Sequence, residues 1–127
     1  MNIPPMDVQQ SWLDYIYQGT KTVEGRTGPL GKYDNIVGSV IDLYDPANEE
    51  FRFPVKIVEV RHYDTLDEYI DAEGWRSIAP HTGSNAETRK AYASIYMLGA
   101  GGERVQVFSP ERVQARGGIN AIEVKKV

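Results

Sequence analysis

Apolar residues recur at helical spacing in three segments of the chain, and this pattern predicts helices over residues 7–18, 65–73 and 86–97. Asp7 is placed to cap the first helix, and Gly19 is placed to end it in a left-handed conformation. The other two helices open with capping-box sequences, in which a Thr or a Ser precedes a Glu by three residues. Helices are therefore expected near the start of the chain and in its second half.

Segments rich in β-branched and aromatic residues alternate with these helices and are predicted to be strands. The pattern indicates a hairpin formed by residues 38–44 and 51–63 around a turn at 45–48, and two later strands at 105–108 and 119–124. This alternation of short strands and capped helices is typical of a mixed fold with one layered core.

The second strand of the predicted hairpin indicates the architecture. Val55, Ile57, Val58 and Val60 place apolar side chains at both odd and even positions, as expected where one face lines a barrel and helices cover the other. We therefore predict an α+β fold, in which a small β-barrel of about five or six strands is surrounded by helices. No repeat or shift of composition marks a second domain, so residues 1–127 are predicted to form one domain.

The composition narrows the classes of function. Cysteine is absent, which excludes thiolate chemistry and is most simply consistent with the cytoplasm. His62 and His81 share no metal-ligand spacing, and residues 99–102 lack the strand and helix that flank a phosphate-binding turn, so no metal or cofactor is predicted.

The longest uncharged and fairly apolar segment, residues 91–102, is too short to cross a membrane. The net charge of −4 is opposite to that of a strong nonspecific nucleic-acid binder, so any such site must be local.

Eight tyrosines and two tryptophans offer surfaces on which bases can stack. Most of them, including Trp12, Tyr92 and Tyr96, occupy helical positions that core packing explains. The sequence therefore predicts a core position for these three residues.

The densest polar cluster framed by structural signals is residues 19–26. In an extended segment, Thr22, Glu24 and Arg26 project to one face about 7 Å apart, and Glu24 is expected to pair with Arg26. Such a pair holds a guanidinium rigid for a phosphate or a base edge, or keeps a carboxylate ionised beside a reacting group. The alternative is an ordinary salt bridge on a strand.

The spacing Gly19-x-Lys21-x-x-Glu24-x-Arg26 resembles the G-x-K-x-x-E-x-R signature of ASCH domains. These are small β-barrels related to the PUA fold and are generally proposed to bind RNA, so the resemblance implies a PUA-like barrel. Further segments are similar to the family's aromatic-plus-helix segment, its loop, its late helix and its closing strand, in the expected order, at residues 63–70, 74–80, 92–96 and 118–124.

The ASCH family includes enzymes that hydrolyse N4-acylated cytidine with a Lys, a Thr and a Glu, and others reported as ribonucleases. Lys21 matches the reactive lysine, whereas Glu24 occupies the position of the threonine. The hydrolase's own glutamate falls in a region of different length, and neither Glu68 nor Glu73 is assigned to it. The resemblance therefore implies the general ASCH form, and the sequence departs from the hydrolytic form of the family.

The chemistry of a lysine beside a carboxylate favours binding. Desolvation or Arg26 would lower the pKa of Lys21, and Glu24 would oppose that shift and keep the lysine charged for a phosphate or a base carbonyl. We therefore predict an RNA-binding or nucleotide-recognising module whose ligand contacts Lys21, Thr22, Glu24 and Arg26. The alternative is a hydrolase of a modified nucleoside or of RNA, with Lys21 and Glu24 as its catalytic residues and Thr22 or another hydroxyl as partner. A third alternative, a protein-interaction domain without a pocket, predicts no affinity for nucleotides.

Overall fold

A five-stranded sheet forms the centre of the structure and curls into a half barrel with helices around it. The computed structural model describes residues 4–127, except for the side chain of Gln10. The strands are β1 (Met6–Asp7), β2 (Val23–Thr27), β3 (Val40–Asp45), β4 (Asn48–Tyr63), β5 (Tyr96–Leu98), β6 (Arg104–Gln106) and β7 (Ile119–Lys126). The helices are α1 (Gln10–Gln18), α2 (Leu66–Glu73), α3 (Trp75–Ile78), α4 (Asn85–Ala93) and α5 (Pro110–Ala115), with a 3₁₀ turn at Asp34–Ile36. The predicted α+β fold, a small barrel-like sheet with helices around it, is confirmed.

The long strand β4 lies at the centre of the sheet, whose order is β1-β3-β4-β7-β2. Its neighbours β3 and β7 are antiparallel to it, β2 is antiparallel to β7, and the short β1 runs parallel to β3. The pairing of β4 with β7 shifts between Ile57 and Glu59, which leaves Val58 as an extra, exposed residue. Ile57 and Val60 therefore both pack on the same core, and this bulge accounts for apolar residues at both odd and even positions.

Two clusters of buried apolar side chains lie on opposite faces of the sheet. Alternate residues of β7 show this, because Ile122 and Val124 belong to one cluster and Ile119 and Ala121 to the other. Trp12 of α1 packs against both clusters. This tryptophan therefore lies where the two halves of the core meet.

The first helix begins later than the sequence predicts. Asp7, the predicted cap, lies in β1 beside Tyr44 of β3, and its side chain contacts Arg26, so the capping prediction is wrong. A strand pairing together with a charged hydrogen bond outweighs a local capping preference. The predicted end of the helix is confirmed, since Gly19 adopts a left-handed conformation with a φ of 84°.

Both predicted capping boxes contain their expected hydrogen bond. The Thr65 hydroxyl accepts one from the backbone N–H of Glu68, and the Ser84 hydroxyl accepts one from that of Glu87, each at 3.1 Å. These contacts satisfy backbone donors at the starts of α2 and α4.

Within the part of the chain that the structure describes, no helix is long and apolar enough to cross a membrane.

The helix predicted over residues 86–97 ends at Ala93, so the prediction for its last turn is wrong. The following residues form a hairpin, in which β5 pairs antiparallel with β6 around a glycine-rich turn. Gly102 adopts a φ of 84° in this turn, which favours chain reversal. As a result, Tyr96 lies on a strand and is 40% exposed, whereas the sequence predicts a core position.

Candidate ligand-binding cleft

The curl of the sheet brings its two edge strands, β1 and β2, together. Arg26 of β2 donates a hydrogen bond from Nη1 to Oδ1 of Asp7 in β1 at 3.3 Å, and a second one from Nη2 to the Asp7 carbonyl oxygen. The predicted pair of Glu24 with Arg26 is therefore wrong, because Glu24 pairs with Lys21 instead. Side chains two residues apart on a strand are about 7 Å apart, whereas closure of the sheet places Asp7 directly against Arg26. A charged contact thus joins the two edges at a seam.

A cleft of about 360 Å³, which we term the seam cleft, opens along this contact. Its lining includes Asp7 from β1, Glu24 and Arg26 from β2, Trp12 from α1 and Arg112 from α5. Tyr96 and Met97 of β5 also line it. The cleft is concave, partly apolar and supplied with a few converging polar groups, which is the usual character of a small-ligand site.

Lys21 lies behind the cleft with only 1% of its surface exposed. Its Nζ donates to the carbonyl oxygens of Val23 at 2.5 Å and Ile78 at 2.7 Å, and lies 3.6 Å from Oε1 of Glu24. The same nitrogen is 5.1 Å from the centroid of the Trp12 ring. Burial lowers the pKa of Lys21, and the charge of Glu24 acts against that shift. The contacts of Lys21 are therefore internal to the protein.

The Lys21 ammonium donates two hydrogen bonds to backbone carbonyls and forms an ion pair with Glu24, so its described polar contacts are all with the protein and it does not line the cleft. It holds the Glu24 carboxylate at the cleft. Thr22 is exposed, lies outside the lining, and donates its backbone N–H to the Ser77 carbonyl oxygen at 2.9 Å. Of the four predicted binding residues, Glu24 and Arg26 line the cleft, Lys21 lies behind Glu24, and Thr22 lies outside.

Two arginines that the sequence analysis did not single out, Arg112 and Arg116, also line the cleft. Arg112 donates from Nη1 to the Val107 carbonyl oxygen at 3.0 Å, and Arg116 donates from Nε to the Thr27 hydroxyl at 2.8 Å. Among residues 4–127, neither guanidinium forms an ion pair with a carboxylate. Burial and the positive charge of Arg116 both lower the pKa of Arg112. The cleft therefore contains two positive charges that no described carboxylate neutralises.

The spacing of these two arginines carried a signal. Residues four apart share a helix face, so the spacing of Arg112 and Arg116 could have indicated that they are neighbours; in the structure α5 ends at Ala115 and Arg116 follows as its cap. Nothing local indicated that this face would lie against β2, since that depends on how α5 packs on the sheet. Their contribution to the cleft is a tertiary feature.

Aromatic rings form the apolar part of the cleft. The ring of Tyr92 lies 5.6 Å from Trp12 and 4.8 Å from Phe108 between centroids, and all three residues line the cleft. The Tyr92 hydroxyl also shares a hydrogen bond of 2.8 Å with the Tyr69 hydroxyl. Burial raises the pKa of Tyr92, so this hydroxyl stays protonated at neutral pH. The predicted packing role of Trp12 and Tyr92 is confirmed, and both rings also face the cleft.

The two glutamates considered for a hydrolytic role lie outside the cleft lining. Glu73 accepts hydrogen bonds from Arg61, at 2.7 and 2.8 Å, and from the Tyr63 hydroxyl at 2.5 Å. Burial acts to raise the pKa of Glu73, but the hydrogen bonds outweigh it and the pKa is lowered. Glu68 is exposed in the first turn of α2. Within the described residues, no group of three or more acidic, histidine or cysteine side chains could hold a metal ion.

The chain matches no protein-family model and no curated protein sequence. Its fold is shared by solved structures, among them two proteins of similar length. The crystal structure of the hypothetical protein PH0355 is similar over 97% of this chain and 97% of its own, with a TM-score of 0.69 and 23% sequence identity. The solution NMR structure of protein PF0455 from Pyrococcus furiosus is similar over 98% of this chain and 96% of its own, with a TM-score of 0.61 and 22% identity. At these identities the similarity shows a common fold.

Proposed function

We propose that the chain binds RNA or a nucleotide in the seam cleft, as an ASCH-type module of PUA-like fold. The observation that carries this proposal is the pair of Arg112 and Arg116, whose guanidinium groups line the cleft without a carboxylate partner among the described residues. The chain as a whole has a net charge of −4. Unneutralised arginines inside a cleft of such a protein suit a phosphate, which guanidinium binds in a bidentate manner.

The remaining lining suits a base. The rings of Trp12, Tyr92 and Phe108 supply apolar surface beside the arginines. Glu24 provides a hydrogen-bond acceptor, held in place by Lys21, and a base presents both donors and acceptors at its edge. Recognition of single-stranded RNA usually combines such stacking surfaces with polar contacts. The resemblance of residues 19–26 to the ASCH motif supports the same proposal.

The buried Lys21 supports a second candidate, a hydrolase of N4-acylated cytidine or of RNA. A lysine whose pKa is lowered by burial can activate a nucleophile when it faces the substrate. Lys21, however, directs its Nζ to two backbone carbonyls and to Glu24, and it does not line the cleft. This geometry favours binding over hydrolysis. Incubation with N4-acetylcytidine and with single-stranded RNA separates the candidates, because a binding module leaves both unchanged.

Fluorescence anisotropy with a labelled single-stranded RNA, at several salt concentrations, tests the binding proposal. Neutralisation of two or three phosphates predicts a slope of log affinity against log salt of about −1.4 to −2.1. Arg116→Ala is expected to weaken binding and to make the slope shallower by about 0.7. The matched control is Arg89→Ala, which removes an exposed arginine that already pairs with Asp67 and Asp71.

The control variant is expected to bind RNA with the affinity and the salt slope of the parent. Thermal melting of each variant confirms that it is folded. A parent that binds no RNA or nucleotide contradicts the proposal. A folded Arg116→Ala variant with the parent's affinity and slope places the binding site outside the seam cleft.

A further inference from the structure

A second cavity, of about 400 Å³, adjoins the seam cleft. The two cavities share Gln9, Trp12, Ile95 and Tyr96 in their linings. Trp12 and Tyr96 therefore lie at the boundary between the two cavities. Because the cavities share these residues, they are neighbours on the surface, and a ligand that occupied both would cross Trp12 and Tyr96.

The second cavity has a positive side chain stacked on an aromatic ring. The guanidinium of Arg104 lies 4.1 Å from the centroid of the Tyr96 ring, which is within the range of a cation–π contact. Arg104 forms no ion pair with any carboxylate in the described part of the chain. None of the described residues that line this cavity is acidic. The cavity is thus locally positive in a protein whose net charge is −4.

A histidine supplies a further flat, polar surface in the same cavity. His81 stacks parallel to Tyr15 with 4.8 Å between ring centroids, and it meets Trp12 edge-on at 5.1 Å. Burial and the nearby charge of Lys21 lower the pKa of His81, so its ring is neutral at pH 7. A neutral imidazole offers one donor and one acceptor, the two kinds of group that a base edge requires.

The β5–β6 hairpin sets the position of the stacked pair between the cavities. Arg104 is paired with Leu98, so it lies diagonally across from Tyr96 on the same face of the hairpin. The base of the hairpin is attached to the body of the protein, since the Gln106 side-chain amide donates to the Ala93 carbonyl oxygen at 2.6 Å. The hairpin therefore presents Tyr96 to both cavities and Arg104 to the second one.

We infer that the second cavity is a second nucleotide subsite, and that the ligand is a single-stranded RNA of at least two nucleotides. This inference rests on the proposed function, since it assumes that the seam cleft holds the first nucleotide. A base stacks on an aromatic ring or on an arginine plane regardless of its identity, and Tyr96 with Arg104 presents both. The unpaired charge of Arg104 then serves the phosphate that links the two nucleotides.

The test compares a short and a long ligand by isothermal titration calorimetry. The probes are adenosine 5′-monophosphate and an RNA of four adenosine nucleotides, written A4. The parent is expected to bind A4 at least about tenfold more tightly than the monophosphate, because a second stacked base adds to binding. Arg104→Ala and Tyr96→Ala are each expected to weaken A4 binding by about fivefold or more. Arg104→Ala is expected to leave the affinity for the monophosphate unchanged.

The matched control is Arg76→Ala. Arg76 also lies over an aromatic ring, 4.6 Å from the centroid of Trp75, but it lines neither cavity. This variant is expected to bind both probes like the parent.

The possible results separate this inference from the proposed function. Equal affinities of the parent for the two probes, or an unchanged A4 affinity in a folded Arg104→Ala variant, overturn the second subsite and leave the seam cleft as a site for one nucleotide. An Arg104→Ala variant that loses affinity for both probes equally indicates one shared site and also overturns it. Absence of binding of either probe to the parent contradicts the proposed function itself.

Discussion

Replacement of Lys21 by Met is expected to cost stability rather than to remove a direct ligand contact. Methionine retains most of the apolar volume of the lysine stem but lacks the ammonium. The carbonyl oxygens of Val23 and Ile78 would lose their donor, and the Glu24 carboxylate would lose its cation. Since the Lys21 side chain is 0% exposed and that of Glu24 is 14% exposed, water has little access to replace these contacts.

The magnitude follows from the burial of the network. Removal of one partner of a buried ion pair costs about 3–5 kcal/mol, because the other charge remains buried and unpaired. A buried acceptor left without a donor costs about 1–3 kcal/mol, and this overlaps with the first figure rather than adding to it. We therefore expect Lys21→Met to lower the free energy of unfolding by about 3–5 kcal/mol. With a urea dependence of about 2 kcal/mol per molar, the unfolding midpoint falls by about 1.5–2.5 M.

Urea denaturation of parent and variants, followed by circular dichroism, measures this loss. The matched control is Lys90→Met, whose parent side chain is 76% exposed and lies 3.2 Å from Glu87, and whose cost is expected to stay below about 0.5 kcal/mol. Adding Glu24→Gln to Lys21→Met removes the unpaired carboxylate and is expected to restore about 1–2 kcal/mol. A Lys21→Met variant within about 1 kcal/mol of the parent, or a double variant no more stable than the single one, would refute the reasoning.

Three further substitutions test other parts of the structure by the same denaturation assay. Gly118→Ala is expected to cost about 2–4 kcal/mol, since Gly118 has a φ of 113° and a Cβ there would lie 2.4 Å from the Tyr63 carbonyl oxygen; near-parent stability would contradict the geometry. Glu73→Gln is expected to flatten the loss of stability on the acid side. Burial acts to raise the pKa of Glu73, but hydrogen bonds from Arg61 and Tyr63 lower it, so its contribution is present above the ordinary carboxyl range and is lost as pH falls through the lower folded pKa. Equal pH profiles of variant and parent from pH 3 to 7 would argue against this coupling. Thr65→Ala is expected to cost about 1 kcal/mol through loss of the helix cap, and no measurable change would contradict the capping role.

Local sequence patterns determined the helix caps, a helix end and a hairpin turn, because the conformation of each depends mainly on neighbouring residues. Two capping hydrogen bonds, at Thr65 and Ser84, occur where the sequence predicts them, because each joins groups only three residues apart. The left-handed conformation of Gly19 also occurs where it is predicted, since it depends on the end of a single helix. The hairpin turn between Asp45 and Asn48 was predictable for the same reason. In these places the chemistry of a short segment is sufficient to select the conformation.

Competition with distant partners explains the elements that were predicted incorrectly. Residues 96 and 97 continue a helical pattern, yet they form a strand because residues 104–106 are available to pair with them. Asp7 has the side chain of a helix cap, yet its partners are a neighbouring strand and Arg26, which lies 19 residues away along the chain. A local preference of about 1 kcal/mol cannot compete with several tertiary contacts.

The candidate site also combines features that the local sequence determines with features that depend on tertiary contacts. The sequence identified the segment that carries Lys21, Glu24 and Arg26, because its density of polar residues and its spacing are local properties. Only the tertiary structure decided that Lys21 is buried behind Glu24, and that Arg112 and Arg116 join the cleft from the other end of the chain. Ion pairs and cleft linings depend on which surfaces come into contact when the sheet curls and its edges approach each other. The local pattern of the sequence does not specify these contacts between distant segments.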